Sequence, residues 1–332
     1  MTAPRLEVLA IGNAIVDVIS DATDAFLSAQ GLDKGSMRLI DEAEAVRLYG
    51  AMGPGRESSG GSAGNTAAGL AALGIRAGFI GQVGADELGD IYRHDIGAQG
   101  VEFLVTPRAD VGATARCLIL VTADAQRTMN TFLGAAQMLS AEAIDRARIA
   151  DAAILYLEGY LWDPEVPRAA MEAAIGHARA AGRKVAFTLS DSFCIARHRA
   201  DFLRLIDDGK IDILFANEAE LGELSGESDF DAALGAIAAK VATLVVTRGD
   251  QGAVAMRGGE RASVAAEPIK RLVDTTGAGD LFAAGFLAGE ARGLGLQASL
   301  RLGAIAAAEV IQHYGARPEA DLKALAGDLL GA

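Results

Sequence analysis

Short apolar, β-rich runs alternate with alanine-rich helical runs along nearly the whole chain, and few folds accept that alternation. The run VATLVVTRG at 241–249 is apolar without interruption until a glycine ends it, which suits a strand covered on both faces. Strands are predicted at Glu7–Ile11, Ala77–Val83, Ala153–Leu157, Lys184–Leu189, Ile211–Phe215 and Thr243–Thr247. Helices are expected between them: Asp86–Ala98, Ser140–Ala150 on a serine cap, and Glu165–Ala181 after a proline start. Leu296, Leu300, Gly303, Ala304, Ala307 and Ile311 recur every three or four residues and mark one face of a further helix. The expectation is a three-layer α/β/α fold with a mostly parallel central sheet.

Two segments break the alternation. Residues 15–40 and 111–134 read as strand pairs, with turns at Asp24 and at Ala123-Asp124-Ala125. Such strands cannot all join the central sheet. They are expected to form a small β-sheet lid over a cleft, or a hairpin packed on the surface. Residues 1–14, 41–110 and 135–332 are then the α/β core. A chain of 332 residues fits one large domain with a smaller attachment.

Lys and Arg total 30 against 44 Asp and Glu, a net charge of −14, which repels nucleic-acid backbones. Cys117 and Cys194 make no CxxC, and the four histidines make no HExxH, so no zinc site is expected. Asp17 interrupts the opening before a signal peptide could form, and LFAAGFLAG at 281–289 ends at Glu290. A cytoplasmic protein, monomer or homodimer, with small-molecule partners and no membrane contact is the expectation.

The segment DTTGAGDLFAAGFL at 274–287 is the richest in chemistry. The main-chain N–H groups of Gly277, Ala278 and Gly279 would point out of a helix start and, with the helix dipole, form an anion site. Asp280 follows in the first turn. An acid beside an anion site makes sense if it takes a proton from a nucleophile while the amides stabilise the transferred group. The plain alternative is an ordinary N-terminal helix acid.

Gly60-Gly61 permits close backbone approach, and Asn65 offers both a donor and an acceptor. Asn13 and Asp17 flank the end of the first strand, the edge where ligands bind in open α/β sheets. Asp17 could accept hydrogen bonds from a diol, whereas an unpaired acid in an apolar strand is costly. Asn217 with Glu220 reads as a near capping box or, alternatively, as a contact to hydrated Mg²⁺. The turn from Thr247 through Gly249 to Gly252 suits nucleotide contact. The Walker pattern, the GxGxxG fingerprint and the protein-kinase motifs are absent from the sequence.

With these segments the sequence resembles the ribokinase-like (PfkB-type) carbohydrate and nucleoside kinases. The stretches 60–74 and 274–287 resemble the two family signatures, NEAE at 217–220 the NxxE element, and VTRGDQG at 246–252 the Thr-x-Gly-x-x-Gly turn. The resemblance implies ATP as phosphoryl donor, Asp280 as base and the amides of Gly277, Ala278 and Gly279 as the phosphoryl-binding hole. It also implies Asn217 and Glu220 near Mg²⁺ and phosphate, with Glu220 acting through water, and a K⁺ site at Asp274 and Thr276. Thr247, Gly249 and Gly252 would contact ATP.

Within the family the sequence is most similar to adenosine kinases. GNAIVDV implies that Asn13 and Asp17, with Gly61 and Asn65, hold ribose hydroxyls. QRTMNTFLGAA at 126–136 implies that Arg127 reaches the phosphates and Met129 covers the base. The base-stacking position stays open among Tyr160, Leu161, Trp162 and Phe193. Gly64 stands where a longer polar side chain is common. The implied reaction is phosphorylation of the 5′-hydroxyl of a purine nucleoside, adenosine first. The alternative is a sugar kinase acting on ribose, fructose or a keto-deoxy acid.

Overall fold

The computed structural model describes residues 4–124 and 126–330. The opening three residues and Ala125, the last member of the expected second turn, lie outside the described residues. Among the described residues fourteen strands run in chain order as β1 (Leu6–Ile11), β2 (Ile15–Asp21), β3 (Met37–Leu39), β4 (Gly55–Gly60), β5 (Ala77–Ile80), β6 (Glu102–Phe103) and β7 (Ala115–Val121). They continue as β8 (Arg127–Phe132), β9 (Ala152–Glu158), β10 (Lys184–Thr188), β11 (Ile213–Asn217), β12 (Thr243–Thr247), β13 (Ala253–Arg257) and β14 (Glu260–Val264).

Nine of them form one sheet in the order β14-β13-β12-β11-β10-β9-β1-β5-β6. Its pairs are parallel except β12–β13 and β13–β14. Alternate side chains leave opposite faces, so Val8 and Ala10 enter one apolar cluster while Leu9 and Ile11 enter the other. Helices Ser62–Ala72, Ala278–Ala291 and Leu296–Val310 cover the first face, through Leu70, Leu281 and Leu300. Helices Glu165–Ala180, Ser192–Asp207 and Glu218–Ser225 cover the second, through Met171, Phe202 and Leu224. The expected three layers are therefore present. Burial of each such leucine stabilises the fold by about 1.5–3 kcal/mol. Ala278–Ala291 and Leu296–Val310 pack at close range: a Cβ on Gly285 would stand in contact with the Leu302 backbone.

The remaining five strands form a second sheet in the order β3-β8-β7-β2-β4. The expected hairpin at 111–134 is β7–β8, closed by a turn in which Thr122 Oγ1 donates to Asp124 Oδ1 at 2.6 Å. The first segment differs from expectation. Asp24 opens a helix, Asp24–Ala29, rather than a turn, because Thr23 caps it by accepting from Phe26 N at 3.1 Å. That helix carries the chain past the hairpin, so β2 and β3 do not pair with each other. They lie parallel to β7 and β8 respectively, on opposite sides. β4 adds an antiparallel strand against β2 from a stretch expected to belong to the core. A single helix over Ser140–Ala150 is also not observed. A 3-10 turn at Ala141–Ala143 precedes a short helix, Arg146–Ala150, restarted by the Asp145 cap.

Among the described residues no helix is long and apolar enough to cross a membrane, and no cluster of three His, Cys, Asp or Glu could hold a metal.

Candidate active site

The site lies where the second sheet faces the start of helix Ala278–Ala291. Gly277 caps that helix with φ 79°, a left-handed conformation that favours glycine. Its Cβ would meet Ala316 Cβ at 2.6 Å. Among the described residues the N–H groups of Gly277, Gly279 and Asp280 have no protein acceptor, while Ala278 N donates to Thr275 O at 3.2 Å. The donors left free for an anion are thus Gly277 and Gly279 together with Asp280's own amide, rather than Ala278.

Asp280 accepts from Ser62 Oγ at 2.7 Å and from Asn65 Nδ2 at 2.8 Å. Part of its surface stays open to the cavity. Burial pushes its carboxyl above the ordinary range, and the two hydrogen bonds and Arg317 only partly oppose this. Both donors ride on helix Ser62–Ala72, which begins at Gly61. Gly61 has φ 84°, and its Cβ would lie 2.1 Å from Asn13 O, so a residue with a side chain does not fit. The glycine cap leaves the helix without a side-chain acceptor.

Glu158 supplies that acceptor from the end of β9. Its Oε2 accepts from Ala63 N at 2.7 Å, and its Oε1 accepts from both Asn13 N and Asn13 Nδ2 at 2.7 Å. Burial pushes Glu158 up to about 7. Asn13 is accordingly turned to Glu158 and does not line the cavity. The signal for Glu158 was present in the sequence as an acid closing the otherwise apolar run AAILYLE, the same signal that singles out Asp17.

In β2, Val16 and Val18 face the core while Ile15 and Asp17 face the cavity. Asp17 pairs across to Cys117, and Cys117 to Thr131, so these side chains share one face, with Met129 two residues from Thr131. None of the hydrogen bonds among the described residues ends on the Asp17 carboxylate. Burial pushes it up to about 6, against the pull of Arg317 and Arg127. Asp17 and Asp280 line one cavity of about 440 Å³ together with Gly61, Asn65 and Met129.

A second, largely apolar cavity of about 410 Å³ is lined by Gly249, Gly252, Ala304 and Ile311. The two share Thr247, Gly279 and Phe282, so they meet at the free amides. One chamber thus offers two carboxylates and the other an apolar slot, with anion donors between them.

Of the four open stacking candidates, Tyr160 lines the first cavity, Leu161 and Trp162 are wholly buried in the core, and Phe193 is 72% exposed and borders neither cavity. Beside Tyr160, Ser190 is the one described non-glycine residue with positive φ, 74°. Its Oγ accepts from Tyr160 N at 3.2 Å.

Asn217 and Glu220 line the first cavity and form a complete capping box. Asn217 Nδ2 donates to Glu220 Oε1 at 2.7 Å, and Asn217 N donates to Glu220 Oε2 at 3.0 Å. Burial pushes Glu220 up to about 7. Each of its oxygens keeps a lone pair, so the pair fits water-mediated contact with Mg²⁺.

Asp274 does not fit a K⁺ site. Its Oδ1 accepts from Thr276 N and Thr276 Oγ1, and its Oδ2 accepts from Gly315 N at 3.1 Å and from Arg127 Nη1 at 2.8 Å. The carboxylate is fully occupied and already paired with a cation. Arg127, held there, borders neither cavity.

The pfkB family carbohydrate kinase profile matches residues 37–322. A probable sugar kinase protein from Rhizobium etli CFN 42 has 48% identity and a TM-score of 0.90, over 97% of this chain and 98% of that one. The adenosine kinase from Sinorhizobium meliloti has 48% identity and a TM-score of 0.89, with the same coverage. Adenosine kinase from Saccharomyces cerevisiae is 27% identical over 337 residues, covering 95% of this chain and 96% of the yeast protein. The chain belongs to the pfkB family of carbohydrate kinases, phosphotransferases that act on hydroxyl groups.

Proposed function

We propose that the protein transfers the γ-phosphoryl group of ATP to the 5′-hydroxyl of a purine nucleoside, adenosine first, giving AMP and ADP. The observation that carries this reading is the pairing of two acids in one cavity. Asp17 has a carboxylate without protein donors, as a cis-diol reader requires, and Asp280 lies beside free amides, as a base for phosphoryl transfer requires.

In the proposed step Asp280 takes the 5′-hydroxyl proton as that oxygen attacks the γ-phosphorus, and the bond from phosphorus to the β–γ bridging oxygen breaks. The amides of Gly277, Gly279 and Asp280 stabilise charge on the transferring oxygens. Mg²⁺, reached through water by Glu220 and Asn217, would offset charge on the phosphates. Thr247, Gly249 and Gly252 are the proposed ATP contacts at the second cavity. Gly61 and Asn65 border the ribose, Met129 and Tyr160 the base. The second sheet acts as a lid that excludes water from the transfer.

A sugar acceptor is the second reading, favoured by the family match and by the Rhizobium etli relative. 5′-Deoxyadenosine separates the two. It should bind in competition with adenosine and accept no phosphate, while adenosine yields AMP identified by its 5′-phosphate signal. Absence of AMP with adenosine contradicts the proposal.

A further inference from the structure

Arg317 stands in the segment after helix Leu296–Val310, outside every motif of the sequence. Its Nη2 donates to Ser59 O at 2.6 Å and to Ser59 Oγ at 3.0 Å. Its Nε and Nη1 are buried and have no partner, and no carboxylate among the described residues comes within the 4.0 Å of an ion pair. A guanidinium stays charged in a protein, so this charge must be balanced at longer range.

Asp17, Asp95 and Asp280 all bear on it, and two of them, Asp17 and Asp280, line the cavity. Ser59, which holds Arg317, pairs with Val16 in the second sheet, beside the Ser58–Asp17 pair. The next residue, Gly60, is where the Asp17 carboxylate packs, and a Cβ there would lie in contact with its oxygens. On the other side, a Cβ at Gly64 would stand 4.0 Å from Arg317 Nη2 and 2.8 Å from Tyr92 Oη. Gly64 directly precedes Asn65, the donor to Asp280. Arg317 therefore lies behind the wall that both acids share, in space opened by the missing side chain at position 64.

We infer that Arg317 is a positioning residue whose charge, anchored on Ser59, keeps Asp17 and Asp280 together as carboxylates in one cavity. The inference rests on the kinase reading of that cavity. Burial pushes both acids up and Arg317 pulls both down, while the charge of Asp280 adds to the rise of Asp17. The other charged or titratable groups facing the cluster are Asp95 and Tyr92 on helix Glu87–Ala98, Cys117 on β7, Arg127 on β8, Tyr156 and Glu158 on β9, and Tyr160 just after it. Asp95 is an anion held by Ser59 N and Oγ, and Arg127, committed to Asp274, bears on Asp17 alone, which leaves Arg317 as the cation acting on both acids.

The test is the pH profile of kcat/KM for the intact protein and for Arg317→Gln and Arg317→Lys, with melting temperature as the folding control. Removing the cation raises the pKa of a carboxyl group, so the acid limb of Arg317→Gln should move up by about one pH unit, with roughly a tenfold loss below the limb and little loss at high pH. Arg317→Lys should keep the limb of the intact protein. A ¹³C-carboxyl titration of Asp17 reads the same shift without turnover, starting from about 6. An unmoved limb and an unmoved Asp17 titration in Arg317→Gln overturn the inference. Where Arg317→Gln fails to fold, Arg317→Lys decides, since a shifted limb despite retained charge overturns it equally. If the intact protein turns over no acceptor, the kinase reading fails instead, and the Asp17 titration still decides the role of Arg317.

Discussion

Asn65 Nδ2 lies 2.8 Å from Asp280 Oδ2, a hydrogen bond between residues 215 positions apart in the chain. Ser62, three residues earlier on the same helix, holds the other carboxylate oxygen at 2.7 Å. The glycine-rich start of one helix thus orients the acid at the glycine-rich start of another. Glu158 fixes the first helix by accepting from Ala63 N. Asp280 is held by charge-favouring donors yet pushed up by burial, an arrangement that suits the proposed base, which must accept a proton and release it again.

Replacing Asp280 by asparagine keeps the shape and removes the proposed base. We expect kcat to fall by about 10²–10⁴ while affinity for ATP is nearly preserved. Single-turnover kinetics with a separate nucleotide titration check this, and unchanged turnover removes the base assignment.

In the proposed reading Asp17 serves binding rather than proton transfer. Asp17→Asn should raise KM for the nucleoside by about 10- to 100-fold, as expected for loss of a hydrogen-bonded charge, with a smaller effect on kcat. In the intact protein the folded pKa is about 6, so protonation weakens diol acceptance as pH falls through that value. KM measured against pH should rise below about 6 and stay flat above it.

Arg127→Met leaves Asp274 buried without its cation. Breaking such a pair costs about 3–5 kcal/mol, whereas removing both charges costs less. Denaturant titration should therefore show Arg127→Met/Asp274→Asn to be more stable than Arg127→Met alone. Additive losses would contradict the pairing.

Glu158 and Glu220 are both raised from 4.5 to about 7 in the folded protein. Because the folded values exceed the unfolded ones, their contribution is fully present below about 4.5 and is lost as pH rises through about 7. Calorimetry of the ligand-free protein should give a lower melting temperature at pH 8 than at pH 6. A melting temperature that rises across that interval contradicts the assignment.

The central sheet was legible because its strands are buried on both faces and read as unbroken apolar runs, as in VATLVVTRG. The helix start with its free amides was legible because Gly277 needs a positive φ and a bare Cα, a local demand written into Gly-Ala-Gly. The second sheet was legible only in part. β2 and β3 carry strand-like residues, but their partners are β7 and β8, nearly a hundred residues away, and no local pattern names a distant partner. The roles of Asn13 and Arg127 were misplaced for a related reason. Both have the right chemistry for a ligand, and each is engaged instead by a buried acid, Glu158 or Asp274, whose proximity is tertiary. Arg317 carried no signal at all, since GARPEAD reads as a polar connection.

The central claim is that a nucleoside hydroxyl accepts the phosphoryl group. ADP release with ATP and Mg²⁺, measured separately for adenosine, inosine, guanosine, ribose, fructose and keto-deoxygluconate, tests it most directly. The account predicts kcat/KM for adenosine well above that for every free sugar. Turnover confined to a sugar would contradict it, leaving Asp280 as base but removing the nucleoside from the cavity beside Asp17.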